Sequence, residues 1–195
     1  MEADVISYWE DQTTDIESAT RAVFSEGDIE VHSATDAATI VSLLGRSLPA
    51  GGLVDLGCGV GRLTGRVADL TGRDVRGIDP APGMIRLAQA HNPHPLVTYD
   101  SSFDVQPMAG GFSMLVFQHL PALTVRTYLA WVAKCLIPGG AFVLQFVEGD
   151  YHVEHDHRYS EGWMVTMAKR VGLVSSVVFN DARHPEWRWV TVVKP

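Results

Sequence analysis

The densest chemistry in this sequence lies in Val54-Asp55-Leu56-Gly57-Cys58-Gly59-Val60-Gly61-Arg62, where an acid and three alternating glycines follow an apolar run. Glycine lets a backbone turn tightly and approach a ligand closely. Asp79 stands 22 residues after Gly57 and closes a second apolar run, Val75-Arg76-Gly77-Ile78. An acid so placed suits a ribose, because a carboxylate accepts from both hydroxyls at once and such charge-assisted bonds contribute about 1.5–3 kcal/mol. Asp100 and Ser101 follow a third run that ends at Tyr99. Each feature also has a plain structural reading. The glycines could form a bare strand-to-helix turn, Asp79-Pro80 could start a turn or cap a helix, and Asp100-Ser101-Ser102 could be an ordinary loop.

The glycine loop narrows the ligand. A dinucleotide fingerprint reads G-x-G-x-x-G/A, and here Arg62 occupies the place of its third small residue. A phosphate-binding Walker loop needs Lys followed by Ser or Thr, and neither is present. An acid two residues before G-x-G-x-G resembles motif I of the class I S-adenosylmethionine (SAM)-dependent methyltransferases, in their small-molecule, methyltransferase type 11/25-like branch. Three more segments resemble that family in the same order: Asp79 with Pro80-Ala81-Pro82-Gly83-Met84, Asp100-Ser101, and the turn Leu136-Ile137-Pro138-Gly139-Gly140. The expected terminal hairpin also resembles the family, whose sheet ends with an antiparallel strand, so the resemblance covers roughly residues 33–195.

The resemblance implies SAM as cofactor and S-adenosylhomocysteine (SAH) as its product. It implies that Asp55 serves the ammonium group, that Gly57, Cys58, Gly59 and Gly61 shape the loop, and that Asp79 holds the ribose. Pro80 and Met84 would lie near the adenine, Asp100 and Ser101 at its amino group, and Gln118 against the cofactor. Tyr8 and Trp9 fall in a segment that folds over the cofactor in similar enzymes. The chain lacks the D/N-P-P-Y signature of amino-methylating DNA enzymes, the Pro-Cys nucleophile of cytosine-C5 enzymes, and evident magnesium-binding carboxylates. A small-molecule acceptor is the expectation by elimination.

Methyl transfer is an in-line displacement that depends chiefly on alignment. A general base is needed only if the acceptor must lose a proton. His119 is the first candidate. The second is His155, within the cluster His152, Glu154, His155, Asp156 and His157. That cluster also reads as a solvated loop; it lacks the H-E-x-x-H spacing of a helical metal site, and no metal is expected.

These residues need a scaffold. Residues 5–30 read as helical, broken at Asp11-Gln12-Thr13 and restarted by Thr14 with Glu17 as a capping box. Ser33 with Asp36 gives a second such box, opening a helix to about Leu44. Strands are expected over 53–56, 75–78, 96–99, 114–117 and 141–147, with helices over 62–71, 83–90 and 124–136 between them. A helix over 160–170 then precedes strands 176–179 and 187–193. Alternating strands and helices define an α/β fold. The expected form is a Rossmann-like, seven-stranded, mostly parallel sheet with an antiparallel last strand and helices on both faces. Residues 1–195 form one domain, with 1–32 as a helical cap or lid and 33–195 as the core.

Composition agrees with a globular domain: 46% of residues are apolar and 19% charged. Net charge is −8, and nine of the 23 acids fall in the first 30 positions against one base, Arg21. Such a surface disfavours nucleic acid as a partner. Two distant cysteines, an acidic start and no apolar run of roughly 20 residues point to a cytoplasmic protein outside the membrane. Monomer and homodimer both remain open. The rival functions are an RNA or protein methyltransferase of the same fold, a SAM-binding regulatory protein without turnover, and, further off, a nicotinamide oxidoreductase.

Overall fold

The computed structural model describes residues 3–23, 28–45, 47–149, 152–153, 156–181 and 183–195. Its centre is a seven-stranded sheet. The strands are β1 (Leu53–Leu56), β2 (Val75–Ile78), β3 (Val97–Asp100), β4 (Met108–Ser113), β5 (Leu136–Val147), β8 (Val174–Asn180) and β9 (Trp187–Val193). They lie in the order β3-β2-β1-β4-β5-β9-β8. β1 to β5 are mutually parallel, and β9 runs antiparallel to both β5 and β8. The expected architecture is borne out, including the antiparallel ending. Two-residue strands β6 (His152–Val153) and β7 (Asp156–His157) form a separate ribbon, where a loop was expected.

Helices α1 (Ala3–Asp11) and α2 (Ile16–Val23) precede α3 (Ile29–Leu44). α4 (Thr64–Thr71), α5 (Pro82–His91) and α6 (Ala122–Cys135) connect parallel strands, and α7 (Glu161–Arg170) follows the ribbon. β5 shows how the two faces are covered, because its successive side chains point to opposite sides. Phe142, Leu144 and Phe146 join the core under α6 and α7, whereas Ala141 and Val143 join the one under α3 and α4. A third small cluster ties Ala19 of α2 to Met84 of α5.

Three local expectations are corrected. The cap of α2 is Asp15, whose carboxylate accepts from the Ser18 N–H at 2.8 Å, rather than the Thr14–Glu17 box. α3 starts earlier than expected, because Asp28 accepts from the N–H groups of Glu30 and Val31. Ser33 and Asp36 therefore lie inside that helix and are buried. The fourth strand is Met108–Ser113, not 114–117. The run Met114-Leu115-Val116-Phe117 has the right composition for a strand, yet it turns. Leu115 has φ 58°, the one positive value at a non-glycine among the described residues. Phe117–His119 then makes one 3₁₀ turn.

The true β4 carries Gly110 and Gly111, which weaken a strand by propensity. Packing requires them. A Cβ on Gly111 would lie 2.4 Å from Val54 Cγ1 and 2.6 Å from the Val54 carbonyl oxygen, and one on Gly110 would lie 2.7 Å from that of Ala141.

Candidate active site

Ligands of open α/β sheets bind at the carboxyl ends of the strands, and the cleft in this protein opens there. β1 leads into the glycine loop, where Gly57, Gly59 and Gly61 all have positive φ. The N–H groups of Gly57 and Cys58 both donate to the Ile78 carbonyl, at 2.7 and 3.0 Å. This fastens the loop to the end of β2, where Asp79 follows. The Gly59 N–H donates to Asp79 Oδ2 and the Ala81 N–H to Oδ1, each at 2.9 Å. Each oxygen of an ionised carboxylate can accept about two hydrogen bonds, so each retains capacity for a ligand donor. Burial raises the Asp79 pKa to about 6, against the pull of the two backbone bonds, and the Glu10 charge adds to the rise.

The cleft encloses about 60 Å³, well below the roughly 300–1,000 Å³ of small-molecule sites. Gly57, Gly59, Asp79, Pro80 and Met84 form one part of its wall. Leu115, Val116 and His119, from the turn after β4, form another, and Val5 and Trp9 of α1 contribute a third. The Trp9 and His119 rings meet edge to face, with centroids 5.1 Å apart. α1 is pinned there by Glu10. Its Oε2 accepts from the Gly83 N–H at 2.8 Å, and its Oε1 pairs with Arg86 at 3.3 Å. The acid thus sits at the N-terminus of α5, where the helix dipole favours it.

Several residues expected at the ligand lie outside the wall of this cleft. Asp55 is buried and accepts from the Thr64 hydroxyl at 2.7 Å, in the first turn of α4. Burial raises its pKa to about 7, opposed by that hydroxyl and by Arg62. Cys58 lies beneath the loop, its thiol pushed up by burial and by the charges of Asp55 and Asp79. Gly61 faces Tyr99: a Cβ there would lie 2.3 Å from the tyrosine hydroxyl.

Asp100, at the end of the edge strand β3, is held by Arg76 at 2.7 Å and by the Ser102 N–H at 2.9 Å. The arginine bond and then the backbone bond keep its carboxyl below its usual pKa. Ser101 beside it is exposed. Gln118 is buried in the 3₁₀ turn, and its side-chain oxygen has no hydrogen-bond partner among the described residues. Tyr8 is exposed and meets Trp9 edge to face. His155 and Glu154 lie outside the described residues.

The sequence reading missed Glu10, Leu115, Val116 and Tyr128, the last a buried tyrosine of α6 in the cleft wall. Only Tyr128 carried a signal, as an aromatic on the apolar stripe of its helix.

The donor set is selective. Among the described residues, no Lys or Arg lines the cleft, and its one acid is Asp79. Such a wall gives a pyrophosphate no side-chain cation, and the loop N–H groups of Gly57, Cys58, Gly59 and Gly61, of the kind that hold that group in dinucleotide sites, are already bonded within the protein. The wall suits a ribose diol at Asp79, and offers apolar and aromatic surface for a base or a sulfonium. The residues present therefore fit SAM better than a dinucleotide.

Comparison with known proteins agrees with this chemistry. Residues 53–140 match a methyltransferase domain family. In an alignment 154 positions long that covers 66% of the chain, it is 34% identical to the ubiquinone biosynthesis O-methyltransferase of Methylobacterium nodulans. The chain spans 59% of that protein's length. In fold it resembles the magnesium protoporphyrin IX methyltransferase of Synechocystis PCC 6803, solved with bound SAH. The TM-score is 0.76 at 17% identity, covering 97% of this chain and 99% of that one. The CcbJ methyltransferase of Streptomyces caelestis gives 0.73 at 17% identity, covering 96% and 98%. Residues 53–140 carry a methyltransferase domain, and the matches together indicate a class I SAM-dependent methyltransferase. Among the described residues, no helix is long and apolar enough to cross a membrane.

Proposed function

We propose that this protein binds SAM in the cleft described above and transfers its methyl group to a hydroxyl of a small apolar acceptor. The observation that carries the reading is Asp79: a buried carboxylate with one backbone N–H on each oxygen, on a wall free of Lys and Arg among the described residues. Asp79 accepts from the ribose hydroxyls. Gly57 and Gly59 give the amino acid end close access to backbone, and Met84 packs beside the adenine. Asp100 and Ser101 stand at the strand end that would meet the adenine amino group, and Gln118 offers its unpaired oxygen. Asp55 acts on the ammonium group at one remove, through the loop that it anchors with Thr64.

When bound, the cofactor supplies a methyl group already activated by a positive sulfur. The chain's own residues align the acceptor and exclude water. His119 takes the hydroxyl proton on its ring nitrogen, and Trp9 presents an aromatic surface beside it. The oxygen assignment rests on this histidine and on the named activity of the Methylobacterium relative. The apolar wall favours a small acceptor over RNA. α1 acts as the lid, with Val5 and Trp9 forming part of the cleft wall.

Calorimetric titration of the wild-type protein with SAH tests the cofactor. Micromolar binding is expected, about −8 kcal/mol, with none for NADH. A folded protein that ignores SAH would remove the proposal's foundation. Two substitutions separate lid from base. Trp9→Ala is expected to speed SAH dissociation severalfold. His119→Ala is expected to lower turnover about a hundredfold, the lower end for loss of a general base, while SAH affinity holds. Equal effects of both on affinity alone would assign both rings to packing.

A further inference from the structure

Three residues that the proposed site leaves unused come together in the fold: Ser33 and Asp36 inside α3, and Arg62 at the exit of the glycine loop. Arg62 Nη1 donates to Ser33 Oγ and to Asp36 Oδ2, both at 3.0 Å. Asp36 is fully buried, and the Arg62 side chain is 9% exposed. The second oxygen of Asp36 accepts from Arg183 Nη2 at 2.6 Å. Arg183 in turn grips Asp181 through Nε at 3.1 Å and Nη2 at 3.0 Å, and Asp181 also accepts from Trp189 Nε1 at 3.0 Å. Two acids and two arginines balance. The chain of bonds runs from the glycine loop, through α3, to the loop between β8 and β9. Because β8 and β5 are both antiparallel to β9, β8 runs the same way as β5. Its loop therefore opens on the edge of the sheet that carries the cleft.

The loop needs such a hold. Three glycines of positive φ within five residues have large conformational freedom, and fixing them is entropically costly. A loop that must be ordered on binding loses affinity by that amount, and one held in advance does not. The loop is tied at its entry by the bonds to Ile78 and at its centre by Asp79. Arg62 ties its exit. A lysine replaces it poorly, since Nη1 makes both of those bonds while Nη2 reaches Met114 Sδ at 3.8 Å, and a single ammonium has no second nitrogen for that contact.

We propose that Arg62, held by the shared anion Asp36, is a positioning residue that sets the glycine loop for the cofactor, with Arg183 coupling that setting to the β8–β9 loop. The proposal rests on the SAM reading above, and two readouts separate their fates. The variants are Arg62→Met, Arg62→Lys and Arg183→Met, each measured well below its own melting temperature. Amide hydrogen exchange on the ligand-free protein is expected to rise at least tenfold at Gly57–Gly61 in both Arg62 variants, and less in Arg183→Met. SAH affinity is expected to fall about tenfold in both Arg62 variants, and about threefold in Arg183→Met. Unchanged loop exchange in Arg62→Met would overturn the proposal whatever SAH does. Affinity losses that merely track the loss of melting temperature across all three variants would also overturn it, since the network would then be a brace only. Increased exchange in a protein whose wild type ignores SAH would keep the loop-setting role and remove the SAM reading alone.

Discussion

Replacing Asp79 with alanine is expected to weaken SAH binding at least tenfold, about 1.4 kcal/mol. The ribose would lose its charge-assisted acceptor, and the Gly59 and Ala81 N–H groups would lose theirs. Asp79→Asn is the sharper probe, because it keeps the shape and removes the charge. The carboxyl has a pKa of about 6 in the fold against a usual 3.8, chiefly through burial. Wild-type SAH affinity is therefore expected to hold above pH 7 and to decline below pH 6, as the acid takes up its proton. The asparagine variant should lack that decline.

Stability should move the other way. A carboxyl whose folded pKa is raised binds more protons folded than unfolded, so its contribution is lost as pH rises from about 4 through about 6. The melting temperature of Asp79→Asn relative to wild type should accordingly improve over that interval. Titration calorimetry between pH 5 and 8, paired with thermal melts, measures both. A wild-type affinity that is flat across pH 6 would count against an ionised Asp79 at the ribose.

Gly111→Ala is expected to destabilise the core strongly. Overpacking typically costs 1–3 kcal/mol, and here the added carbon meets a backbone carbonyl as well as a side chain. A loss of about 3 kcal/mol corresponds to roughly 6–12 °C in melting temperature for a chain of this size. β1 must shift to make room, and β1 delivers the glycine loop, so SAH affinity should fall with stability. Gly162→Ala is the control. Nothing lies within 4 Å of a Cβ built there, and it sits in the first turn of α7, where alanine is the better helix former by at most about 1 kcal/mol. Thermal denaturation decides both. Equal melting temperatures for the two variants would mean that β4 has room its packing does not show.

The contrast explains what the sequence could and could not tell. Strands such as Val75–Ile78 and Trp187–Val193 were legible because most of their residues are apolar or β-branched and they lie between clear turns. The order of acids and glycines made Asp79, Gly57 and Gly59 legible as a group, and the cleft contains all three. β4 was not legible, because contact with β1 and β5 dictates its glycines and local propensity argues against them. The misplaced strand hid the turn at Leu115, whose N–H is held by the buried Gln145 side chain at 3.0 Å. That bond spans 30 residues, and no local pattern announces it. Ser33 and Asp36 were misread for a related reason. Their spacing imitates a cap, while their partners, Arg62 and Arg183, come from other parts of the chain.

The strand order has a consequence for how the molecule is made. β8 precedes β9 in the chain but lies outside it in the sheet. While the polypeptide emerges from the ribosome, β5 and β8 are made before β9, the strand that each of them pairs with in the folded sheet. During that interval the β5 edge, with Phe142, Leu144 and Phe146 beside it, is open to any other extended chain. The arrival of β9 closes two seams at once. A lesion in β9 would therefore leave a nascent chain with an unpaired edge and a greater tendency to aggregate.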